Sequence, residues 1–368
     1  MLSVDPNLSF FRGRVALYTA LQAMDIKPGD EVILPGYTCI VVPNAIIYLG
    51  AKPVYIDIDP RSFNIDPSLI ESRIAGHTRA IIAQHTYGIP AEMDQIAEIA
   101  KRHGLYVIED CCHAIGSAFK GCEVGTFGDV AFYSSQWSKP FTTGLGGWAV
   151  VNDPELRRRM SQIQARLAEP SLLEILQLRV QYFLHQRLFR PSLFWFAQDS
   201  YRFLTQSGLT IGSACPGEVE GCMPPRYAMK MSRWQKGRLQ HHLDSLDHLV
   251  AHRKMITRMY EEGLRAIGAR PVEYRSDLDP VFLRYPVMVT DKPRALALAR
   301  KARIELGDWF LSPVHPNQDR WEAAGYEKGS CPLAEDICAH VVNLPTHARV
   351  NAKEAARNLE FITGHVET

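Results

Sequence analysis

The sequence predicts an α/β fold with a mainly parallel sheet sandwiched by helices and a second, smaller domain. Over residues 12–151, short apolar strands alternate with helical segments, many bounded by Pro/Gly turns such as KPGD. Crossovers of about 10 to 15 residues connect parallel strands. The 368-residue length is sufficient for two or three domains, and the 46% hydrophobic content is ordinary for a globular enzyme.

Each element of this first region follows from its apolar period and its bounding turn residues. In chain order they are the helix RVALYTALQAM (14–24), the strand EVILP (31–35), the helix IVVPNAIIYLGA (40–51), the strand KPVYIDID (52–59), the helix PSLIESRI (67–74), the strand RAIIAQH (79–85), the helix MDQIAEIAKRHG (93–104) and the strands LYVIED (105–110), DVAFYSS (129–135) and GWAVVND (147–153). Six of these elements are strands of the expected mainly parallel sheet.

Residues 161–225 form an aromatic-rich helical insertion, interrupted by Pro191. We expect it to pack on the body or across a dimer interface; a surface for a membrane or a lipid-linked substrate is the alternative. Residues 1–160 and 226–250 are assigned to the large domain.

Residues 251–368 are assigned to a small C-terminal α+β domain. A continuous helical pattern predicts one long helix over 232–267 that leads into it. The strand FLRYPVMV (282–289) and the helices PRALALARKAR (293–303) and KEAARNLEFI (353–362) follow.

Charge and composition exclude several classes of partner. Lys+Arg 41 against Asp+Glu 40 argues against nucleic-acid binding driven by bulk charge. The N-terminus lacks a signal-peptide pattern, and no apolar run approaches the roughly 20 residues of a membrane span. We expect a cytoplasmic protein without membrane contact. The eight cysteines show no C-x-x-C spacing, so reduced thiols are expected and no metal site.

Lys139 is the first candidate for chemistry. It lies in YSSQWSKPFTTGLGG (133–147), between small hydroxyl residues and a glycine-rich turn. A buried lysine needs a partner or a chemical role, and its unprotonated amine forms a Schiff base with a carbonyl. Ligands of parallel sheets bind at the carboxyl ends of the strands, where Asp110 and Ser134 lie.

These residue types suit pyridoxal 5'-phosphate (PLP), which needs a carboxylate at its ring nitrogen, a phosphate cup and a ring clamp. Asp110 can provide the carboxylate, although a helix N-cap is its alternative role. Ser134 and the start of the first helix, at Gly13 and Arg14, are candidates for the phosphate. His113 could lie against the ring; in isolation, such a histidine is more often structural.

Successive blocks of the chain resemble the DegT/DnrJ/EryC1/StrS family of PLP-dependent sugar aminotransferases, which have the fold type I (aspartate aminotransferase-like) architecture. The resemblance implies a seven-stranded type of sheet. The blocks are RGRVALYTALQAMDIKPGDEVILPGYTCIVVPNAIIYLGAKPVYIDID, QHTYGIPAEMD, VIEDCCHAIGSAFKGCEVGTFGDVAFYSSQWSKPFTTGLGGWAVVND and, more faintly, GYEKGSCPLAEDICAHVVNLPTH. The resemblance implies that Lys139 is the Schiff-base lysine and proton carrier. It also implies that Asp110 pairs with the ring nitrogen, His113 contacts the ring and Ser134 binds phosphate.

Departures from the family pattern concern the cofactor and its surroundings. Gly13, Arg14 and Val15 occupy the family's phosphate turn, where Arg14 replaces a hydroxyl residue; its forked donors could still bind phosphate. Cys39 stands at a cofactor-binding position that usually holds a stacking aromatic residue.

The resemblance also implies substrate contacts. His85 and Tyr87 belong to the H-x-Y-G block, and His315 follows Pro313 in the C-terminal pattern. The family's Asn-x-Arg motif, contributed by the neighbouring subunit, maps onto Ala228 and Lys230. Lys230 is therefore a candidate substrate-binding residue.

The implied function is transfer of an amino group from an amino acid, by family analogy L-glutamate, to a keto group of a nucleotide-linked sugar. The implied assembly is a homodimer with shared active sites. Two alternatives stay open: an aminotransferase for a non-sugar ketone, and a non-catalytic homologue that acts as a regulator or binding partner. The sugar and the aminated carbon are not specified by the sequence.

Overall fold

A computed structural model describes residues 5–188, 194–206, 210–212 and 217–366. The strands are β1 (Ser9–Phe10), β2 (Glu31–Pro35), β3 (Thr38–Cys39), β4 (Lys52–Ile56), β5 (Thr78–Gln84), β6 (Tyr106–Asp110), β7 (Ala118–Phe119), β8 (Cys122–Glu123), β9 (Val130–Ser134), β10 (Gly147–Val151), β11 (Leu278–Asp279), β12 (Arg284–Met288), β13 (Val314–His315) and β14 (Val341–Pro345). The helices are α1 (Gly13–Ala23), α2 (Val41–Ile47), α3 (Pro67–Ile70), α4 (Met93–His103), α5 (Pro154–Arg166), α6 (Leu172–Leu188), α7 (Phe194–Gln206), α8 (Arg233–Leu243), α9 (Leu246–Ala266), α10 (Lys292–Ala302), α11 (Pro332–His340) and α12 (Ala352–Thr363).

Seven strands form the central sheet, in the order β1-β10-β9-β6-β5-β2-β4. The five strands from β9 to β4 run parallel. Strand β10 pairs antiparallel with β9, and β1 pairs antiparallel with β10 at the edge, so β10 runs against the other six strands of this sheet. The loop between β9 and β10 contains no helix, so the chain returns in the opposite direction. The predicted mainly parallel sheet is confirmed.

Helix α4 illustrates how the local sequence determines the helices. Its buried residues, Met93, Ile96, Ile99 and Ala100, recur at helical spacing and face the sheet. Basic residues in the last turn complement the helix dipole, and Gly104 ends the helix in the left-handed conformation (φ 64°). Burial of this apolar face fixes the crossover between β5 and β6.

Helix α1 has an unusual position because nearly all of it is buried. It packs against β9 and β10 on one side and against α2 and α5 on the others. Apolar side chains on every face match this environment. The start of the helix therefore lies beside the carboxyl end of β9.

The prediction of a single helix over 232–267 is wrong, because the helix is interrupted between Leu243 and Leu246. Ser245 leaves the helical region (φ −112°, ψ 16°), and its hydroxyl donates to the carbonyls of His241 and His242. Such side-chain bonds to the backbone compete with helix continuation. Two helices, α8 and α9, result.

The C-terminal part contains the antiparallel pair β12–β14, with α10 and α11 in the connecting chain and α9 packed on α12. It is tied to the first part by the short parallel pairing of β13 with β3. The domain boundaries at 160, 225 and 250 stay predictions. Within the predicted insertion, 189–193, 207–209 and 213–216, with Pro191 and Cys215, lie outside the described residues.

Two further features concern the described ranges. None of their helices has the length and apolarity needed to span a bilayer. The seven cysteines within them are all free thiols.

Candidate active site

The loop between β9 and β10 presents Lys139. Ser135 holds the two ends of this loop together. The N–H of Ser135 donates to the carbonyl of Gly146, and the carbonyl of Ser135 accepts from the N–H of Thr143. The hydroxyls of Ser135 and Thr143 lie 2.8 Å apart. The Lys139 N–H donates to the carbonyl of Gln136 in a turn. These contacts hold the lysine at the carboxyl edge of the sheet, as the sequence predicts.

The Lys139 ammonium lies over the ring of Trp309, with Nζ 5.3 Å from the ring centroid. Among the described residues, no carboxylate lies within salt-bridge distance of Nζ and no hydrogen bond engages it. A cation–π contact orients an amine without consuming its hydrogen-bond capacity. The amine therefore stays available for a ligand.

Asp110 is a buried carboxylate at the end of β6. Its Oδ1 accepts the N–H of Cys112 at 3.0 Å. Burial raises the pKa of Asp110, and the Cys112 hydrogen bond and the charge of Lys139 oppose that shift. No cationic side chain of the described ranges forms a salt bridge with it. A protonated ring nitrogen would stabilise this carboxylate, so Asp110 suits the ring of PLP.

His113 and two aromatic residues form a flat wall beside Lys139. The His113 ring stacks on Trp309 with centroids 5.5 Å apart and lies 6.2 Å from Phe310. The N–H of Tyr87 donates to His113 Nδ1 at 3.4 Å. Burial, and then the charge of Lys139, hold the pKa of His113 well below its ordinary value. A neutral aromatic face results, which suits contact with a planar cofactor ring.

The start of α1 forms a narrow cradle with β9 and β10. A Cβ on Gly13 would lie 2.8 Å from Ser134 Cβ, and one on Gly147 would lie 2.2 Å from Gly13 Cα. No side chain caps α1, and no hydrogen bond engages the Ser134 hydroxyl within the described ranges. A helix start beside a hydroxyl is a suitable site for a phosphate. The Val15 side chain, in contrast, is in the core, so only its backbone could contribute.

Arg14 forms a buried ion pair with Glu218, through Nη1 and Oε1. Burial alone would lower the pKa of Arg14, but the charge of Glu218 and its hydrogen bond raise it overall. The Glu218 carbonyl accepts Asn44 Nδ2 at 2.7 Å, which fixes the segment that carries the carboxylate. A phosphate in the cradle would therefore share the guanidinium with Glu218.

Cys39 and His315 are neighbours across the β3–β13 pairing. Burial raises the pKa of the Cys39 thiol, against the opposing charges of Arg14 and Lys139. Burial also lowers the pKa of His315 to about 4. The His315 ring packs against Phe310, with centroids 5.4 Å apart. The structure thus places both predicted residues within the electrostatic reach of Lys139.

Tyr87 supports the aromatic wall. Its hydroxyl donates to the Trp309 carbonyl at 2.6 Å and lies 2.7 Å from the Tyr37 hydroxyl. The side chain is fully buried. Tyr87, which the resemblance implies as a substrate contact, therefore acts on the site through Trp309.

His85 is also fully buried, and both of its ring nitrogens are occupied. Nδ1 accepts the N–H of Ala91 at 2.9 Å, so Nε2 carries the proton and donates to Glu109 at 3.1 Å. The structure gives His85 a supporting contact in place of the substrate contact that the resemblance implies. The physical reason is that side chains along a strand point alternately to opposite faces of the sheet, so Glu109 and Asp110 lie on opposite faces. His85 contacts Glu109, on the face opposite Asp110.

A cluster of His85, Glu109 and Cys111 has potential metal-ligating atoms within 4.8 Å of one another. The two Glu109 oxygens already accept the N–H groups of Gly125, Phe127 and Gly128. Burial raises the pKa of the Cys111 thiol well above its ordinary value. These contacts make the cluster a hydrogen-bonded support for the end of β6.

The structure does not bring Lys230 to Lys139 through any recorded contact. Its N–H donates to Ala168, and its Nζ lies 3.5 Å from a Glu169 carboxylate oxygen. Lys230 remains a predicted substrate residue only for a neighbouring subunit, as the family motif implies.

Sequence reasoning missed four residues of the site, one of which is Phe310 of the aromatic wall. Trp309 follows Asp308 shortly before the predicted Pro313 and His315, and an aromatic pair at that point was a usable signal. Arg284 interrupts an otherwise apolar strand, which is also a signal. Glu218 offers none, because its partner Arg14 lies 204 residues away.

A lysine at the carboxyl edge of a mainly parallel sheet, facing a buried carboxylate and a helix start, defines the class of fold type I transferases. DesV from S. venezuelae, solved in complex with a ketimine intermediate, is similar in structure, with a TM-score of 0.73 and 25% identity over 97% of this chain and 84% of that one.

Curated relatives extend the similarity to the sequence. A GDP-perosamine synthase of Caulobacter vibrioides is 43% identical over 352 residues, 94% of this chain and 81% of that protein. A pleiotropic regulatory protein of Geobacillus stearothermophilus is 30% identical over 351 residues, 95% of this chain and 82% of that protein. Residues 5–170 and 200–362 match the DegT/DnrJ/EryC1/StrS aminotransferase family, and the chain belongs to it. The predicted family and aminotransferase class are confirmed.

Proposed function

We propose that this aminotransferase binds PLP at Lys139 and moves an amino group from an amino acid to a keto group of a nucleotide-linked sugar. The observation that carries the proposal is the convergence of Lys139, Asp110 and Ser134 at the ends of adjacent strands β6 and β9. The name of the Caulobacter relative supports a nucleotide-linked sugar as the acceptor.

The chemistry divides between the cofactor and the chain. When bound, PLP supplies an aldehyde that carries the amino group and a ring that withdraws electrons from the reacting carbon. Once the donor's amino group has displaced it from the cofactor, the free Lys139 Nζ would take the proton from the donor's α-carbon and hold it for return on the same face. The same amine, held by Trp309, works in the opposite direction on the keto sugar, so one residue serves both half-reactions.

Asp110 and His113 control the surroundings of that proton transfer. The Asp110 carboxylate would hold the ring nitrogen of PLP in its protonated form, because a buried carboxylate is stabilised by a facing cation. The neutral His113 ring excludes water from one face and adds no competing charge. The cradle at Gly13 and Ser134 anchors the phosphate.

Borohydride reduction followed by activity assays tests the proposal. In Lys139→Ala, we expect no covalent cofactor and no turnover; in Asp110→Asn, a large loss of rate with the cofactor still bound. Lys328→Ala is the matched control, because the Lys328 ammonium lies over the Trp321 ring at 5.9 Å in a similar contact. Unchanged turnover in Lys139→Ala would contradict the mechanism.

The same purified protein distinguishes the proposed function from its alternatives. L-glutamate is the proposed donor, on the family analogy. A regulator without catalysis, suggested by the name of the Geobacillus relative, would show no visible absorbance from a lysine-bound cofactor. A non-sugar acceptor would leave the donor half-reaction intact, but none of the keto-sugar nucleotides would be consumed. The cytoplasmic location stays a prediction.

We also propose that the chain forms a homodimer through the outer face of α6. Large apolar side chains of this helix are exposed over its whole length: Leu172, Leu173, Leu176, Val180, Phe183, Leu184 and Leu188. Contiguous exposed apolar surface of this kind is typical of an interface. Glu174 pairs with Arg226 at 3.1 Å, which joins α6 to the segment where the family's partner-contributed motif maps.

Sedimentation equilibrium tests this interface. We expect a dimer for the natural chain and a monomer for Leu176→Glu with Val180→Glu. Leu69→Glu is the control, because Leu69 is exposed but lies on α3. A dimer that persists in the double variant would contradict the proposal. Loss of vesicle binding with no change in mass would assign the face to a membrane instead.

A further inference from the structure

Arg284, at the start of β12, is a second cation on the aromatic wall of the site. Its Cζ lies 5.0 Å from the centroid of the Trp309 ring, the same ring that holds Lys139 Nζ at 5.3 Å. The charge of Arg284 helps lower the pKa of both His113 and His315, after burial and Lys139. Arg284 and Lys139 therefore act on one pocket.

No acidic side chain of the described ranges forms a salt bridge with Arg284. The charge of Arg284 contributes to the low pKa of Glu305, but the Glu305 oxygens are bonded by His347 Nε2 at 3.0 and 3.1 Å. The wall also includes His113, His315 and Lys139, and one carboxylate, Asp308, lies near enough for its charge to raise the pKa of His315 against the effect of burial. Arg284 and Lys139 thus place two cations, neither in a salt bridge within the described ranges, over one aromatic ring, an arrangement suited to an anionic ligand.

The position of the guanidinium is fixed from two sides. Its Cζ lies over the Trp309 ring, and a Cβ on Gly307 would come within 2.8 Å of Arg284 Nη1, so the absence of a side chain at Gly307 leaves room for the guanidinium. A planar guanidinium held in this way binds a carboxylate through two parallel hydrogen bonds.

We propose that Arg284 binds the α-carboxylate of the amino-acid donor. The inference rests on the proposed function and names the group that the site recognises. The α-carboxylate is attached to the carbon whose proton Lys139 removes, so it must lie close to that amine. Lys230, the cation at the family motif, lies 3.5 Å from a Glu169 carboxylate oxygen, whereas Arg284 lies over the same ring as Lys139.

Two titrations test the assignment. In the first, maleate, a dicarboxylate without an amino group, is titrated into the cofactor-free protein and its binding is measured by calorimetry. In the second, L-glutamate and its α-amide are titrated into the holoenzyme, and the absorbance of the cofactor is followed. We expect Arg284→Gln to weaken maleate binding about 10- to 100-fold and to lose the preference for glutamate over the amide. Arg284→Lys should be intermediate.

Arg300→Gln is the matched control, because the Arg300 guanidinium stacks on Trp195 at 5.4 Å and pairs with Asp199. Its maleate affinity and its preference for glutamate should equal those of the natural chain. The proposal is overturned if Arg284→Gln keeps both, or if Lys230→Met loses them instead. Failure of the proposed function looks different: the natural holoenzyme would show no absorbance change with either amino compound.

Discussion

The buried pair between Arg14 and Glu218 gives a quantitative prediction for Glu218→Gln. The substitution keeps the size of the side chain and removes only its charge. The hydrogen bond from Asn44 goes to the Glu218 backbone carbonyl and is unaffected. The buried guanidinium of Arg14 would then lose the charge of Glu218, which folding disfavours strongly.

The magnitude follows from the burial of both partners. The side chains of Arg14 and Glu218 are 4% and 1% exposed, so solvent screens their interaction little. Removal of one partner from such a pair costs about 3–5 kcal/mol of unfolding free energy. The double variant Arg14→Thr with Glu218→Gln removes both charges. We expect its loss of unfolding free energy to be about 2 kcal/mol smaller than the sum of the losses in the two single variants.

Urea unfolding, followed by fluorescence and circular dichroism, measures these free energies. Glu220→Gln is the control, because its pair with Arg320 belongs to the same segment but is 58% and 64% exposed. An exposed pair contributes about 0–1 kcal/mol. If Glu218→Gln and Glu220→Gln differ by less than about 0.5 kcal/mol, the buried charge is not what holds the segment over α1.

Three shorter predictions concern the site. Gly13→Ala should weaken PLP binding at least about tenfold by fluorescence titration, because the new Cβ meets Ser134 Cβ at 2.8 Å; equal affinity would show that the cradle adapts. Tyr87→Phe should lower the unfolding free energy by about 1–3 kcal/mol, because the carbonyl of Trp309 loses a buried hydrogen-bond donor. Near-UV circular dichroism should report the change at Trp309, and an unaltered spectrum would refute the idea that Tyr87 positions Trp309. Burial lowers the pKa of His113, so as the pH falls the unfolded chain binds a proton at this residue before the folded chain does. The free energy of unfolding therefore decreases as the pH drops below about 6.5. His113→Gln should reduce the slope of unfolding free energy against pH by up to about 1.4 kcal/mol per pH unit, and an identical slope would count against a neutral His113.

Local signals in the sequence predicted the parts of the site that lie in one stretch of chain. Asp110 and Ser134 end apolar strands, and Lys139 follows directly in a glycine-rich loop. Strand periodicity determines which residues reach the carboxyl edge of a parallel sheet, so these positions required no knowledge of distant contacts.

The remaining parts depend on contacts between distant segments. Trp309 reaches Lys139 only after the C-terminal part docks through the β13–β3 pairing, and a single sequence contains no direct signal of that docking. The surroundings of His85 and Tyr87 depend on distant contacts for the same reason. A motif names the two residues, but only the fold shows that their polar atoms contact Glu109 and Trp309. The break at Ser245 arises because its hydroxyl donates to a backbone carbonyl and so competes with continuation of the helix. The spacing of apolar residues contains no signal of this competition.

The covalent bond at Lys139 is the central claim, and peptide mass spectrometry after borohydride reduction tests it most directly. With saturating PLP, we predict that the reduced cofactor is found on the peptide that contains Lys139 and is absent from the peptide that contains Lys230. An unmodified Lys139 peptide under these conditions would contradict the account.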